Sequence, residues 1–192
     1  MARSEKCSYH HGDLRAALIH EGLRLLEKRR GDEIGLREVA RAAGVSATAV
    51  YRHFPDKAAL LRALSAEGLA RLAAAQQEAY NRDGGGRPGF LATGRAYVLF
   101  ALANPALFRL VFSSPPEHDV LSSEPGSVPE AFRMLLENAV SQLPPYAAPE
   151  ALAHSALDSW ARVHGLAMLM LDGQIPANAA LIDAVLGTPE RS

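Results

Sequence analysis

The chain has 192 residues, 48% hydrophobic and 21% charged, with a formal net charge of -1, enough to bury a core as one domain or two small ones. Its single cysteine, Cys7, excludes a disulfide framework within the chain and a multi-thiolate zinc site supplied by one copy. The small net charge hides an asymmetry: residues 1–57 carry 11 Lys/Arg against 8 Asp/Glu (+3), and the rest carry 9 against 13 (-4), which confines contact with a polyanion to the first third. Arg3 and Lys6 precede a polar stretch from Tyr9 to Asp13 with no apolar run behind it, unlike a signal peptide. The longest apolar uncharged run, Ala96 to Phe108, is 13 residues, short of the ~20 that a spanning helix needs. The expectation is a cytoplasmic protein with no membrane partner and no cofactor.

Ala, Leu, Arg and Glu dominate, and apolar residues recur at three- and four-residue spacing, so the sequence reads as all-α, with about nine helices. Leu14, Leu18, Gly22, Leu25 and Leu26 mark a first helix over about 12–30, closed by Lys28-Arg29-Arg30 and Gly31. Leu36, Val39, Ala40 and Ala43 form a short second stripe that stops at Gly44, and a third helix spans about Ala47 to His53. Asp56 can cap a fourth helix of roughly 25 residues, whose stripe Leu60, Leu61, Leu64, Gly68 and Leu72 continues toward Tyr80. Asp83-Gly84-Gly85-Gly86-Arg87-Pro88 then reads as a flexible joint.

Phe90 to Ala103, with Arg95 its only charge, predicts a buried fifth helix, and Pro105 restarts a short sixth over Ala106 to Phe112. A polar, proline-broken loop over 113–127 leads to a seventh helix over about 129–143. An eighth, from Pro149 to about Asp172, carries two apolar stripes: Leu152, Ala156, Trp160, Val163, Ala167 and Met170 on one side, Ala153, Leu157, Ala161, Met168 and Leu171 on the other. Two apolar faces need two partners, for which the expectation is the subunit's own core and a second copy, with Asp158 and Arg162 on the wet side. Ala177 to Leu186 predicts a short ninth helix.

The most informative segment is Leu36 to Phe54. Two short helices joined by a three- to four-residue turn pack steeply only with a small contact residue, a turn that accepts a left-handed glycine, and an apolar plug on the second helix. Ala40, Gly44 and Val50 meet those needs at helix-turn-helix spacing, although such a triple fits a plain helical hairpin as well as a DNA-binding one.

Gly44-Val45-Ser46, followed by Val50-Tyr51-Arg52-His53-Phe54-Pro55-Asp56-Lys57 and Leu60-Leu61, closely resembles the N-terminal domain of TetR-family transcriptional regulators. The resemblance is specific from about Tyr9 to Leu64. Asn104-Pro105-Ala-Leu-Phe-Arg-Leu-Val-Phe112, with Trp160-Ala-Arg-Val-His164-Gly165, resembles the ligand-binding domain subgroup of that family named for its Trp-His-Gly residues. Gly35 departs from the pattern, standing where the family usually has a capping threonine. The resemblance implies a helix-turn-helix domain over 1–57 and a helical ligand-binding and dimerisation domain over 58–192.

It further implies that Ala47, Thr48 and Arg52 face base edges, Arg52 being the one with a forked donor suited to guanine and Thr48 suited to a thymine methyl or one hydrogen bond. Tyr51 and Lys57 match the phosphate-contacting pair, Ser46 caps the recognition helix, and His53 lies beside them. Arg3 and Lys6 fit an arm lying along DNA. Cys7, His10 and His11 invite a zinc reading but lack a fourth ligand. Tyr97, Phe100, Phe108, Phe112, Met134, Trp160, His164 and Met168 are the candidate pocket lining, although Trp160 and His164 read equally as a core indole and an interior histidine. Ala153, Leu157, Ala161 and Gly165 are the candidate dimer seam.

The function implied is a homodimeric regulator, most often a repressor, that binds a palindromic double-stranded DNA operator and is released by a small apolar or amphipathic ligand. The alternatives are a metal-responsive regulator or a small helical enzyme using His164. No Ser-His-Asp set, phosphate loop or metal-helix spacing accompanies that histidine.

Overall fold

The computed structural model describes residues 14–28, 34–113 and 148–187. Among them are eight helices and no strand: α1 (Leu14–Lys28), α2 (Leu36–Ala42), α3 (Ala47–Tyr51), α4 (Lys57–Arg82), α5 (Gly86–Ala103), α6 (Pro105–Val111), α7 (Pro149–Leu171) and α8 (Ala179–Leu186). The helix expected over 129–143 lies outside the described residues, as do Arg3, Lys6, Cys7, His10, His11 and Met134. No single described helix is long and apolar enough to cross a membrane; α5 and α6 pass that test only as a pair, and they are bent by 111°. The chain divides into two compact units, Met1–Leu64 and Ser65–Ser192.

In the first unit, Leu18, Leu23 and Leu26 of α1, Val39 and Ala40 of α2, Val50 of α3, and Leu60 and Leu64 of α4 form the buried core, with Ile34 and Phe54 from the connections. Gly22 of α1 faces Leu64 so closely that an added Cβ would stand 2.9 Å from Leu64 Cδ2. The second helix begins at Gly35, which supplies no side-chain cap. Between α2 and α3 the chain reverses at Gly44, whose φ of +68° lies in the left-handed region, and Val45 N–H donates to the carbonyl of Ala40. Asp56 Oδ1 accepts from Ala59 N–H at 2.6 Å, so the carboxylate expected to start α4 does cap it.

The second unit is built around α5, which packs on α6, α7 and α8. Tyr97, Val98 and Ala101 of α5, Leu72 and Ala73 of α4, Phe108 of α6, Leu166, Ala167 and Met170 of α7, and Ile182 and Leu186 of α8 make its core. Arg95, set in an apolar stretch, is paired: its Nε lies 2.7 Å from Asp183 Oδ1 of α8. Arg109 of α6 pairs with Asp172 at the end of α7. Asn178 Oδ1 accepts from Leu181 N–H to open α8, and left-handed Gly187 closes it.

The glycine cluster departs from the flexible joint expected of it. Gly84, Gly85 and Gly86 all have positive φ, Gly85 N–H donates to the Tyr80 carbonyl at 3.0 Å, and Gly86 N–H donates to the Tyr80 hydroxyl. α5 starts within the cluster, with Pro88 in its first turn, where the missing N–H costs nothing. Three glycines therefore make a tight hydrogen-bonded reversal inside the second unit.

Gly44→Ala should test the helix-turn-helix turn in isolation. Nothing lies within 4 Å of an added Cβ there, so the expected loss of about 1–2 kcal/mol is purely the cost of a left-handed backbone with a Cβ. Urea denaturation measures it, and an unchanged midpoint would refute the assignment of strain to this turn.

Candidate functional site

Two regions carry chemistry, one in each unit. The first is the surface of α3, a five-residue helix too short to persist by itself. It is held by Ser46, whose Oγ accepts from Ala49 N–H at 3.2 Å, by Val50, fully buried, and by Phe54, 1% exposed. Burying two such side chains contributes about 1.5–3 kcal/mol each. The guanidinium of Arg15 on α1 stands 5.4 Å from the Phe54 ring centroid and covers its face.

With Val50 and Phe54 inward, helical spacing turns Thr48, Tyr51 and Arg52 outward together. All three are exposed, as are Ser46 and His53, whereas Ala47 and Lys57 are half-buried. Tyr51 is one of the few large hydrophobic side chains left 47% exposed. A phenol, a guanidinium and a short hydroxyl on one protruding turn form a donor-rich ridge without a carboxylate on α3 itself. Such a ridge suits a polyanion whose edges present acceptors.

The second region is a narrow cleft, partly open to solvent, with a cavity volume of about 90 Å³, between α4, α5, α7 and the end of α8. Leu69, Leu72, Phe90, Leu91, Val163 and Leu186 give it apolar walls, with Gln76, Thr93, Asp158, Ser159 and Arg162 as its polar members. Of the residues proposed from sequence, Tyr97, Phe112 and Trp160 line this cleft. Phe108 lies wholly in the core behind them, Met168 packs against that core, and Phe100 lines a separate groove with Glu78, Arg82 and Arg95.

His164 stands behind the wall and is held by the aromatic residues. Its ring stacks on Phe108 with centroids 5.5 Å apart and meets Phe112 edge-on at 4.8 Å. Trp160 Nε1 donates to the Tyr97 hydroxyl at 3.2 Å, and that hydroxyl lies 2.9 Å from His164 Nδ1. The indole can only donate, so the phenol oxygen accepts; we assign its proton to a bond with Nδ1, because otherwise it would be buried unpaired. His164 is then neutral, with its proton on Nε2. Burial acts in the same sense, lowering the pKa of His164 and raising that of Tyr97.

This relay uses Trp160 Nε1, the Tyr97 hydroxyl and His164 Nδ1. It leaves Gln76, which the sequence reading passed over. Gln76 is 7% exposed, and its Oε1 has no hydrogen-bond partner among the described residues. A signal existed: Gln76 lies four residues after Leu72 and eight after Gly68, on the stripe that α4 buries. Among the described residues no three His, Cys, Asp or Glu side chains group as metal ligands.

A third feature is the outer face of α7. Leu157 and Leu169 are 43% and 47% exposed, Ala161 is exposed between them, and Ala153 and Gly165 are partly so. An added Cβ on Gly165 would meet nothing within 4 Å. Met168 and Leu171, grouped with this face by periodicity, pack against the core instead.

The neutral state of His164 has a consequence for stability. The unfolded chain takes up this proton near the ordinary pKa of 6.5, but the folded state resists it. Its contribution is therefore complete above about pH 6.5 and is lost as the pH falls below that value. Urea midpoints measured between pH 7.5 and 5.5 should fall, and His164→Gln should show a shallower fall; identical slopes would refute a neutral, half-buried imidazole.

Comparison with known proteins agrees with this division. Residues 18–64 match the model of bacterial regulatory proteins of the tetR family, and residues 90–187 match the tetracyclin repressor-like C-terminal domain, a span that includes Trp160, His164 and Gly165. No curated protein matches the chain. Among solved structures, a protein of unknown function from Rhodococcus sp. RHA1 is 31% identical over 95% of this chain and 94% of its own, with a TM-score of 0.70. A TetR from Acinetobacter baumannii AYE shares the fold at 17% identity, with 90% of each chain covered and a TM-score of 0.59. A TetR family transcription regulator from Marinobacter aquaeolei VT8 does so at 17% identity, covering 91% of this chain and 92% of its own, with a TM-score of 0.51. With both halves matched in order, the chain belongs to the TetR family of DNA-binding transcription regulators and is not an enzyme.

Proposed function

We propose that the protein is a cytoplasmic repressor, active as a homodimer on a palindromic operator and released by a small apolar or amphipathic ligand. Residues 1–57 serve as its DNA-binding domain, and residues 58–192 bind the ligand and the second copy. The observation that carries the reading is the α3 ridge, where Thr48, Tyr51 and Arg52 project from a turn fixed by buried Val50 and Phe54. Arg52 reads a guanine edge, Thr48 contacts a thymine with Ala47 beside it at the base edges, and Tyr51 and Lys57 bond phosphates, with Ser46 and His53 next to them. Arg3 and Lys6, outside the described residues, serve in an arm along the DNA.

The exposed seam of Ala153, Leu157, Ala161 and Gly165, to which Leu169 adds, supports the dimer. An isologous contact of two such faces buries apolar area that one chain leaves in water. The cleft supports the ligand, since apolar walls with few polar groups suit an uncharged molecule of modest size. Release follows from linkage: a ligand lowers operator affinity only as far as it binds more tightly to the DNA-free arrangement.

Two measurements test the reading. On DNA from upstream of its own gene, Lys57→Ala should weaken binding about equally on all sequences and reduce the salt slope by about one counterion per subunit. Arg52→Ala should lose about 1–3 kcal/mol of discrimination at one base pair per half-site. An equal loss on every sequence would assign Arg52 to the backbone instead, and no binding to that DNA by the unaltered protein would refute operator recognition there.

Ala161→Glu places a charge in the seam and should yield folded monomers with weak operator binding. Light scattering at micromolar concentration reads the mass. An unaltered protein that is monomeric there would exclude the dimer.

A further inference from the structure

Among the described residues the cleft has one deeply buried polar atom that the fold leaves unanswered. Gln76 is more than nine-tenths buried, lines the cleft, and has an Oε1 with no partner among the described residues. Buried side-chain oxygens are nearly always paired, so an orphan on a residue that lines a cavity marks an acceptor that a water or a ligand donor can answer. Of the other polar groups on the same wall, Asp158 is exposed to solvent and Ser159 half-buried, whereas Thr93, Tyr97 and Arg162 are committed. Thr93 Oγ1 donates to the Phe90 carbonyl at 2.6 Å, the Tyr97 hydroxyl serves Trp160 and His164, and Arg162 reaches the Val185 carbonyl at 2.7 Å.

We propose that Gln76 determines the specificity of the cleft, and that the effector it selects is an apolar molecule carrying one neutral hydrogen-bond donor, a hydroxyl or an N–H, which Oε1 accepts. The inference rests on the reading of the cleft as the effector site. The terminal torsion of glutamine is broad and soft, so the amide turns toward an incoming donor without displacing α4. Leu69, Leu72, Phe90 and Val163 take the hydrocarbon. A site with one unmet acceptor discriminates against a ligand of equal size that lacks the donor, because that ligand fills the space and leaves the oxygen unpaired.

The isomers 1-octanol and 1-methoxyheptane make this comparison, since they have the same atoms and nearly the same volume, and only the alcohol has an O–H. Trp160 is the chain's single tryptophan and lines the same cleft, so its emission reports occupancy in the full-length protein. The alcohol should bind about tenfold more tightly than the ether. In Gln76→Leu the ratio should fall to about one, with ether affinity retained. Equal affinities in the unaltered protein, or a tenfold preference that persists in Gln76→Leu, would overturn the role of Gln76 while leaving the cleft as effector site. No change of Trp160 emission with either compound, in protein of native helical circular dichroism, would overturn the cleft reading and the inference with it. If Gln76→Leu does not fold, Gln76→Met makes the same comparison, and the isomer pair on the unaltered protein is decisive without either variant.

Discussion

The hydroxyl of Tyr97 is the constraint on which the second unit turns. It sits where α5 meets α7, accepts from Trp160 and reaches His164, so a single oxygen ties two residues of one helix to the middle of another. Its burial is tolerable because both its lone pair and its proton are used. The same economy governs the cleft's chemistry. Once Trp160 Nε1 and His164 Nδ1 are bonded to Tyr97, neither atom is available to a ligand, and in the proposed regulator the recognition chemistry passes to Gln76. A histidine suggests catalysis or ligand binding only where its nitrogens reach a cavity, and here His164 stands behind the cleft wall with Nδ1 taken.

The first unit solves a different problem, which is to present a helix too short to be stable. Five residues cannot hold a helical conformation by propensity, so α3 exists because Val50 and Phe54 insert into a core built by α1, α2 and the start of α4. That division of labour leaves the outward side chains free of structural duty. Thr48, Tyr51 and Arg52 can differ without cost to the fold, which is what a recognition surface requires when relatives share a scaffold and read different sequences.

Much of this was legible beforehand because helices announce themselves by period and cap. Ser46 and Asp56 precede apolar stripes and do cap α3 and α4, and Ala40, Gly44 and Val50 stand at the spacing that the steep packing of α2 on α3 demands. The glycine cluster was misread because composition reports that glycines permit many conformations, whereas hydrogen bonds from the Tyr80 turn select one. The pocket lining was only partly legible for a related reason: an apolar residue on a buried stripe looks the same whether it faces a void, as Trp160 does, or fills one, as Phe108 does. Gln76 escaped notice because it opens the polar run Gln76-Gln77-Glu78, and only its phase with Leu72 distinguishes it from its exposed neighbours.

That phase bears on how a ligand could influence DNA binding. Leu60, Leu64, Gly68, Leu72 and Gln76 follow one another at four-residue intervals along α4. The first two are core residues of the unit that carries α3, and the last two line the cleft. In the proposed regulator, a donor captured by Gln76 therefore acts on the helix that also anchors the DNA-binding core. An apolar contact alone would stabilise any arrangement that buries the ligand, whereas a hydrogen bond to a single oxygen favours the arrangement in which that oxygen is reachable. A ligand shifts an equilibrium only by its difference in affinity between two states. Gln76 Oε1, without a partner among the described residues, is thus better suited than the apolar wall to make binding in the proposed regulator depend on the position of α4.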